Sequence, residues 1–398
     1  MPSPLRIGVV CLHTDPFQQP GSGDVGGMNV VVQQTSVAMA AAGHRVTVWT
    51  RLSSEGAAQD EVLEGVRVRR LPVGPARTIL KNEHDDLIEE FAAALEREQP
   101  EVDVLHSHHW FSGVAALPLA RELGVLHVQS FHSIAAPPQT ALSEGERPES
   151  PARLEGEAWL ARSTDAVIAI SDAEARTVVD RLGADPGILH VVHPGVDADL
   201  FRPGDDAGEQ PVLLAAARLE PLKAIDLAIE TLAGVISRRG PGEPRPRLVV
   251  AGGATSDEEY PRSLARLAES TGVADDVALV GPQGRHELAE LMRAATLVLV
   301  PSHSETYGLV ALEAAASGVP VVAALTGGLA ESVIDGVTGV LLPGWDPEQW
   351  ADAVTELLGD PARVAALGAA GREHALTRRW GDVAESTVET YRALLSAR

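Results

Sequence analysis

The chain has 398 residues, of which 45% are hydrophobic, as is typical of a globular protein. Its 32 Lys and Arg stand against 56 Asp and Glu, a formal net charge of −24. A surface of that sign repels nucleic acid and anionic lipid, so we expect neither nucleic acid nor a membrane as a partner. No apolar run approaches the roughly 18 residues of a membrane span, and the N-terminus lacks a secretory pattern. With a single cysteine, Cys11, these features favour a cytoplasmic protein and leave a homodimer open.

The first half of the chain alternates short apolar runs with helical stretches. A buried strand opens it at 5–12, and a glycine-rich loop then leads into a helix near 28–42. Further strands are predicted at 45–49, 102–106, 126–130, 166–170 and 189–192, with helices at 85–97 and 172–181. Strands that alternate with helices in this way predict a doubly wound parallel sheet.

A polar segment at 201–211, rich in Pro and Gly, interrupts this alternation, which then restarts. Strands are predicted at 212–217, 247–251, 277–280, 297–300, 319–323 and 339–342. Because 398 residues are too many for one ordinary core, we expect two domains. We place them at 1–203 and 204–378, with a last helix at 379–398 that crosses back to the first domain. The expected fold is α/β, with two Rossmann-like doubly wound parallel sheets that face a central cleft, and ligands bind such sheets at the carboxyl ends of the strands.

The glycine-rich loop contains Gly21, Gly23 and Gly26, which match the dinucleotide fingerprint in spelling. They lie about ten residues beyond the first strand, whereas the fingerprint sits directly at the strand-to-helix turn. No acid follows the second strand to hold a ribose, so a nicotinamide enzyme is disfavoured. Gly26 and Gly27 instead allow backbone amides to approach a phosphate at a helix N-terminus. The alternative is a plain surface loop.

Four histidines occur at predicted strand ends. His106, His108 and His109 follow one strand, but on an extended chain only the first two share a face. No nearby Cys or acid completes a zinc shell, so we expect no metal and favour contact with a polar ligand. His132 follows the next strand, and it is either a ligand contact or a satisfied core histidine.

Two cations follow the first strand of the second half. Arg218 and Lys223 lie five residues apart at a strand-to-helix connection. From there they can reach one diphosphate from two sides, Arg with paired hydrogen bonds and Lys as a point charge. The alternative is a pair of solvated surface cations.

Two glutamates flank the start of an apolar helix. Glu313 lies inside that helix among small apolar residues, so its carboxylate needs partners, which the two hydroxyls of a ribose can supply. Glu305, just before the helix, can hold hydroxyls of a sugar. The amides of Tyr307, Gly308 and Leu309 suit a phosphate.

Arg-x4-Lys followed by Glu-x7-Glu, on two parallel sheets, resembles the retaining glycosyltransferases of family 4, which have the GT-B fold. The resemblance runs over essentially the full chain. It implies an enzyme that transfers a hexose or N-acetylhexosamine from a nucleotide sugar, with a UDP-sugar expected and a GDP-sugar as the alternative. It also implies that the first domain binds the acceptor, that the second binds the donor, and that no cofactor or metal is obligatory.

The resemblance carries over to individual positions. It implies catalytic contacts from His132, Arg218, Lys223 and Glu305, donor contacts from Gly27, Gln283, Tyr307, Gly308, Leu309 and Glu313, and acceptor contacts from His13, Asn29, Lys81, His109, Ser133 and Arg153. Segments 13–29, 106–113 and 308–311 are most similar to members that glycosylate inositol phosphate.

This sequence departs from the family pattern at three positions. Ser133 replaces a threonine and keeps the hydroxyl, whereas His109 replaces a tyrosine and leaves another cyclitol, an aminocyclitol or a thiol open as acceptor. Ala224 replaces a glycine after Lys223, which is minor if Ala224 has a helical φ. A sugar-nucleotide epimerase or hydrolase on the same fold, or a non-catalytic sugar-nucleotide-binding module, is the remaining alternative.

Overall fold

The computed structural model describes residues 3–18, 25–204, 208, 210–254 and 259–398. Within them the chain forms two compact units. Unit 1 comprises residues 3–18, 27–194 and 380–398, and unit 2 comprises 25–26 and 195–379 with the gaps just given. Gly21 and Gly23 of the glycine-rich loop lie outside the described residues.

Unit 1 is built on an eight-stranded sheet in its described part. Its strands are β1 (Arg6–Cys11), β2 (Arg45–Arg51), β3 (Asp60–Leu63), β4 (Val66–Leu71), β5 (Val104–His108), β6 (Leu126–Ser130), β7 (Ala166–Ala169) and β8 (Leu189–Val191). They lie in the order β3-β4-β2-β1-β5-β6-β7-β8, and every neighbouring pair is parallel except the β3–β4 hairpin.

Unit 2 carries a six-stranded sheet, again counted over the described residues. Its strands are β9 (Val212–Ala216), β10 (Arg247–Ala251), β11 (Val277–Gly281), β12 (Leu297–Val300), β13 (Val321–Ala324) and β14 (Gly339–Leu342). All pairs are parallel, in the order β11-β10-β9-β12-β13-β14. The order in which strands are added to the sheet reverses between β9 and β12, and doubly wound sheets bind ligands at such a switch point. In unit 1 the corresponding reversal lies between β1 and β5.

Helices cover these sheets. They are α1 (Gly27–Ala41), α2 (Ile88–Arg97), α3 (His109–Leu123), α4 (Pro151–Ser163), α5 (Asp172–Asp180), α6 (Ile225–Arg238), α7 (Glu259–Ser270), α8 (Arg285–Ala294), α9 (Leu309–Ala316), α10 (Leu329–Ser332), α11 (Pro347–Gly359), α12 (Pro361–Ala375) and α13 (Trp380–Ser396). The last helix, α13, packs against α1 in unit 1. Among the described residues, no helix is both long and apolar enough to cross a membrane.

The expected α/β architecture of two doubly wound parallel sheets is confirmed, with two local corrections. The strand predicted at 102–106 is β5, Val104–His108, so His106 and His108 lie inside the strand rather than after it. The β3–β4 hairpin was not predicted, because β3 alternates exposed and half-buried residues at the sheet edge and offers no apolar run.

Candidate functional site

In unit 2, side chains that follow two neighbouring strands meet at the carboxyl edge of the sheet. Lys223 comes after β9 and Glu305 after β12, and Lys223 Nζ lies 2.8 Å from Glu305 Oε1. Ser302 Oγ donates a second hydrogen bond to the same carboxylate oxygen at 2.9 Å. The backbone joins the two connections as well, because His303 N donates to Leu222 O at 2.8 Å. The structure therefore brings together a cation and a carboxylate that are 82 residues apart in sequence.

Ala224, directly after Lys223, has φ 47° and ψ 45°. The replacement of glycine by Ala224 would be minor only if Ala224 had a right-handed helical φ, and this condition is not met. Ala224 instead occupies the left-handed region that glycine adopts without cost. For an L-residue this conformation costs roughly 1–2 kcal/mol. The strain lies at the joint between the 3₁₀ turn that ends in Lys223 and the start of α6.

Glycines fix the backbone around Glu305. Gly328 N donates to Glu305 O at 2.9 Å. A Cβ added to Gly327 would lie 2.1 Å from Glu305 O, so only glycine permits this close approach. Gly308 has φ +95° and directly precedes α9, and its carbonyl accepts from Ala311 N at 3.0 Å. The first amides of a helix have no partner inside it, so α9 offers donors directly after Glu305.

Glu313 is buried inside α9 and is 5% exposed. Arg285 Nη1 donates to Glu313 Oε1 at 3.0 Å, and the Arg285 guanidinium lies 5.1 Å from the ring centroid of Phe201. Burial raises the pKa of Glu313 against the opposing effect of Arg285. Glu313 thus has the partner that its apolar surroundings require, but that partner, Arg285, was missed by sequence reasoning.

The other predicted donor-side residues have partners of their own. Arg218 Nη2 lies 3.0 Å from Glu220 Oε1, and both side chains are partly exposed. Gln283 Nε2 donates to Val280 O at 2.9 Å, which turns the side chain back onto β11. Tyr307 is buried, and burial raises its pKa.

In unit 1, buried histidines occupy the carboxyl ends of β5 and β6. His132 Nε2 lies 2.7 Å from His108 Nδ1, and burial lowers the pKa of His132 to about 3. Ser130 Oγ donates to Ile168 O, so His106 Nε2 donates to Ser130 Oγ at 2.9 Å. Tyr391 Oη on α13 then donates to the other ring nitrogen of His106 at 2.6 Å. These are neutral, hydrogen-bonded histidines, and they line a cavity of ≈ 30 Å³.

A second group of rings lies between the ends of β1 and β5. The ring centroids of His13 and His109 are 4.4 Å apart, and both rings pack against Phe111. His109 is 2% exposed, and neither of its ring nitrogens has a hydrogen-bond partner among the described residues. Burial holds the pKa of His109 well below its usual value, so the ring is neutral. A buried ring with unpartnered nitrogens can bind a hydroxyl-bearing ligand.

Lys81 and Arg153 lie beside acidic groups in the same unit. Lys81 Nζ is 2.6 Å from Glu146 Oε1, and Arg153 Nη2 is 3.4 Å from Glu146 Oε2. Arg153 is fully buried, and it also donates to Ser133 Oγ at 3.0 Å. Burial works to lower the pKa of Arg153, but the surrounding carboxylates raise it overall. The structure thus brings Lys81, Ser133 and Arg153 together.

Asn29 and Gly27 lie at the start of α1. Asn29 is buried, and its Nδ2 donates to Thr14 Oγ1 at 2.8 Å and to Asp15 O at 3.0 Å. Its side chain thereby ties α1 to the loop after β1. Gly27 is the first residue of that helix.

The chain matches two known protein families. The family described as Glycosyltransferase Family 4 matches residues 25–200, and the family described as Glycosyl transferases group 1 matches residues 197–374. The D-inositol 3-phosphate glycosyltransferase of Kribbella flavida is 41% identical over 97% of this chain and 95% of its own length. That of Frankia alni is 41% identical over 97% of this chain and 98% of its own length. The chain belongs to glycosyltransferase family 4.

Solved structures agree with the GT-B fold. Sucrose-phosphate synthase from Thermosynechococcus elongatus has a TM-score of 0.88 and 28% identity, covering 99% of this chain and 100% of that chain. Anabaena Alr3699/HepE in complex with UDP-glucose has a TM-score of 0.78 and 19% identity, covering 98% and 100%, which shows the fold alone. The resemblance drawn from the Arg-x4-Lys and Glu-x7-Glu spacings, and the GT-B fold that it implied, are confirmed.

Proposed function

We propose that this glycosyltransferase moves a hexose or N-acetylhexosamine from a UDP-sugar to a small polyhydroxylated acceptor such as inositol 3-phosphate, with retention of anomeric configuration. The observation that carries the proposal is the Lys223–Glu305 pair at the carboxyl edge of β9 and β12. It sets a cation for phosphate beside a carboxylate for sugar hydroxyls. The names of the family relatives support the acceptor, and the UDP-glucose bound by HepE supports the donor.

On the donor side, some residues offset the charge of the diphosphate and others form hydrogen bonds to the sugar. Arg218 and Lys223 offset the diphosphate charge, and the amides at Gly308 and Leu309 add helix N-terminal donors. Glu305 accepts hydrogen bonds from hydroxyls of the transferred sugar. Its carboxylate accepts hydrogen bonds from a lysine and a serine, which fix its orientation, and we assign it a binding role.

The nucleoside contacts come from the region around α9. Glu313 holds the ribose hydroxyls, and Arg285 fixes the orientation of its carboxylate from the side. The backbone at Gln283 recognises the base, because the Gln283 side chain is turned back onto β11. Tyr307 and Gly27 complete the donor contacts.

On the acceptor side, the charged and the neutral groups bind different parts of the acceptor. Lys81 and Arg153 bind the anionic group, while Ser133 and His109 bind hydroxyls. His13, whose ring packs on His109, and Asn29 complete the acceptor contacts. The unpartnered nitrogens of the buried His109 are the observation that favours a hydroxyl-rich ligand here.

Retention without a carboxylate nucleophile favours attack from the face that the nucleotide leaves. The acceptor oxygen forms the new bond to the anomeric carbon as the bond to the phosphate oxygen breaks, and the acceptor proton passes to that departing oxygen. The enzyme supplies position and electrostatic stabilisation rather than a covalent partner. His132, held by His108, contacts the transferred sugar in its neutral form.

A donor-by-acceptor panel analysed by mass spectrometry tests this proposal. It pairs UDP- and GDP-sugars with inositol 3-phosphate, inositol, an aminocyclitol and a thiol, and NMR of the product gives the anomeric configuration. We expect transfer from a UDP-sugar to inositol 3-phosphate with retention. Transfer only to the aminocyclitol or the thiol would move the enzyme to the alternative acceptor class that His109 leaves open. Rapid epimerisation or hydrolysis of donor alone, with no transfer product, would contradict a transferase.

A further inference from the structure

Glu146 bridges the two cations that the proposed acceptor site assigns to an anion. One of its carboxylate oxygens lies 2.6 Å from Lys81 Nζ, and the other lies 3.4 Å from Arg153 Nη2. A phosphate group bound by the same two cations would present its oxygens to the same two nitrogens. The carboxylate therefore stands where that anionic group is expected.

The two other carboxylates around Arg153 are anchored differently. Glu149 lies 2.7 Å from Arg153 Nη1 and also accepts from Trp110 Nε1 at 2.6 Å. Glu157 lies 2.7 Å from Arg153 Nε and also accepts from the backbone amide of Ala135 at 3.0 Å. Both are almost fully buried, so they form the fixed frame of the guanidinium. Glu146 is the most exposed of the three, with 18% of its side chain accessible.

We propose that Glu146 is an internal competitor for the acceptor's anionic group and so a specificity-determining residue of the acceptor site. This inference rests on the proposed function, because it takes Lys81 and Arg153 as acceptor contacts. In the acceptor-free enzyme the Glu146 carboxylate holds both cations in place. A phosphorylated acceptor must displace it, whereas an uncharged cyclitol is not in competition with it.

The charges around Lys81 and Arg153 show why competition by Glu146 affects the choice between charged and uncharged acceptors. Lys81 and Arg153 bring two positive charges, and Glu146, Glu149 and Glu157 bring three negative ones when ionised. The anionic acceptor meets a site whose cations are already neutralised. One unit charge about 4–5 Å from a phosphate dianion, at the effective dielectric of a partly exposed site, weakens binding by at least about tenfold.

The substitution Glu146→Gln removes the charge and keeps a carbonyl that accepts from Lys81. We expect the KM for inositol 3-phosphate to fall about tenfold or more, with kcat changed less than about threefold and the KM for inositol unchanged. The matched control is Glu144→Gln, on the same loop, whose side chain is 58% exposed and pairs with Arg181. That control makes the same change in net charge and should leave both KM values as they are.

A structural role for Glu146 gives a different result. If it only positions Lys81, Glu146→Gln raises the KM for inositol 3-phosphate or leaves it unchanged, and either result overturns the proposal. An equal fall for both acceptors overturns it as well. If the wild type uses neither acceptor, the proposed acceptor is wrong, and calorimetry with inorganic phosphate then tests Glu146 alone. Tighter phosphate binding by Glu146→Gln supports competition, and equal or absent binding refutes it.

Discussion

The substitution Lys223→Ala removes the ammonium group that lies 2.8 Å from Glu305. In the proposed reaction this group offsets the negative charge that develops on the departing nucleotide. The Lys223 side chain is only 14% exposed, so solvent does not simply take its place. Loss of one preorganised electrostatic contact costs about 100- to 1000-fold in kcat, which corresponds to roughly 3–4 kcal/mol of transition-state stabilisation.

The fold is expected to survive this change. The Lys223–Glu305 pair is mostly buried, with side chains 14% and 20% exposed, so removing one partner costs more than the loss of a surface ion pair, up to roughly 3–5 kcal/mol of the free energy of unfolding. The Glu305 carboxylate keeps the hydrogen bond from Ser302 Oγ at 2.9 Å. Urea unfolding then shows how much of the variant is folded, and the folded Lys223→Ala enzyme should still show the loss in kcat.

Initial rates and single-turnover rates with UDP-sugar and acceptor measure the loss, and urea unfolding measures the stability. The matched control is Arg238→Ala, a cation at the end of α6 whose partners Glu348 and Asp352 are largely exposed, and it should keep wild-type kcat. A Lys223→Ala enzyme with kcat within about threefold of wild type, on any sugar nucleotide, would refute the assignment of Lys223 to the leaving group.

Three further predictions follow from other features. Ala224→Gly relieves roughly 1–2 kcal/mol of left-handed strain, but it loses a buried methyl worth about 0.8 kcal/mol and gives the unfolded chain backbone entropy worth roughly 0.4–1 kcal/mol, so the free energy of unfolding should change by less than about 1 kcal/mol. Ala233→Gly, inside α6, relieves no strain and should lower it by more in the same urea titration, and an equal loss at both positions would contradict the strain. His127 has a folded pKa of about 3, below its usual value because of burial, so the unfolded state binds more protons and stability falls as pH drops through 6.5. His127→Gln should therefore lose about 1.4 kcal/mol less than wild type between pH 7.5 and 5.5, and equal pH dependence of the two proteins would refute this. Transfer should persist in EDTA, and a strict loss that Mg²⁺ or Mn²⁺ restores would show that a metal is obligatory.

The strands were predictable where apolar residues are continuous, and they were misplaced where buried polar residues end a strand. The segment Leu297–Val300 was predicted as the structure has it. The strand Val104–His108 was placed two residues early, since its last residues are polar. His106 and His108 are nonetheless buried, because neutral histidines with hydrogen-bond partners can be placed in a core at little cost.

The site was predictable to the extent that it is encoded in short spacings. Glu313 inside an apolar helix indicated that a partner was needed, but nothing in the sequence named Arg285, which is 28 residues away. Glu146 likewise pairs with Lys81 across 65 residues. Such partners depend on which strands become neighbours, and a local pattern does not contain that information.

Backbone conformation at the strand ends links the departures from the family pattern to the site. His109, His132 and Ala224 all have positive φ, at 67°, 62° and 47°, a region that side chains enter rarely. Each follows the carboxyl end of a parallel strand, and each is buried, so packing holds a conformation that would otherwise be disfavoured. Such strain aims side chains in a direction that regular backbone does not allow.

Two of these three residues, His109 and Ala224, are also positions where the sequence departs from the family pattern. The departure at Ala224 adds backbone strain next to Lys223, while the departure at His109 changes the chemistry of the proposed acceptor site. Substitution at 109 should therefore change which acceptor is used, whereas substitution at 224 should change stability and rate without changing that choice.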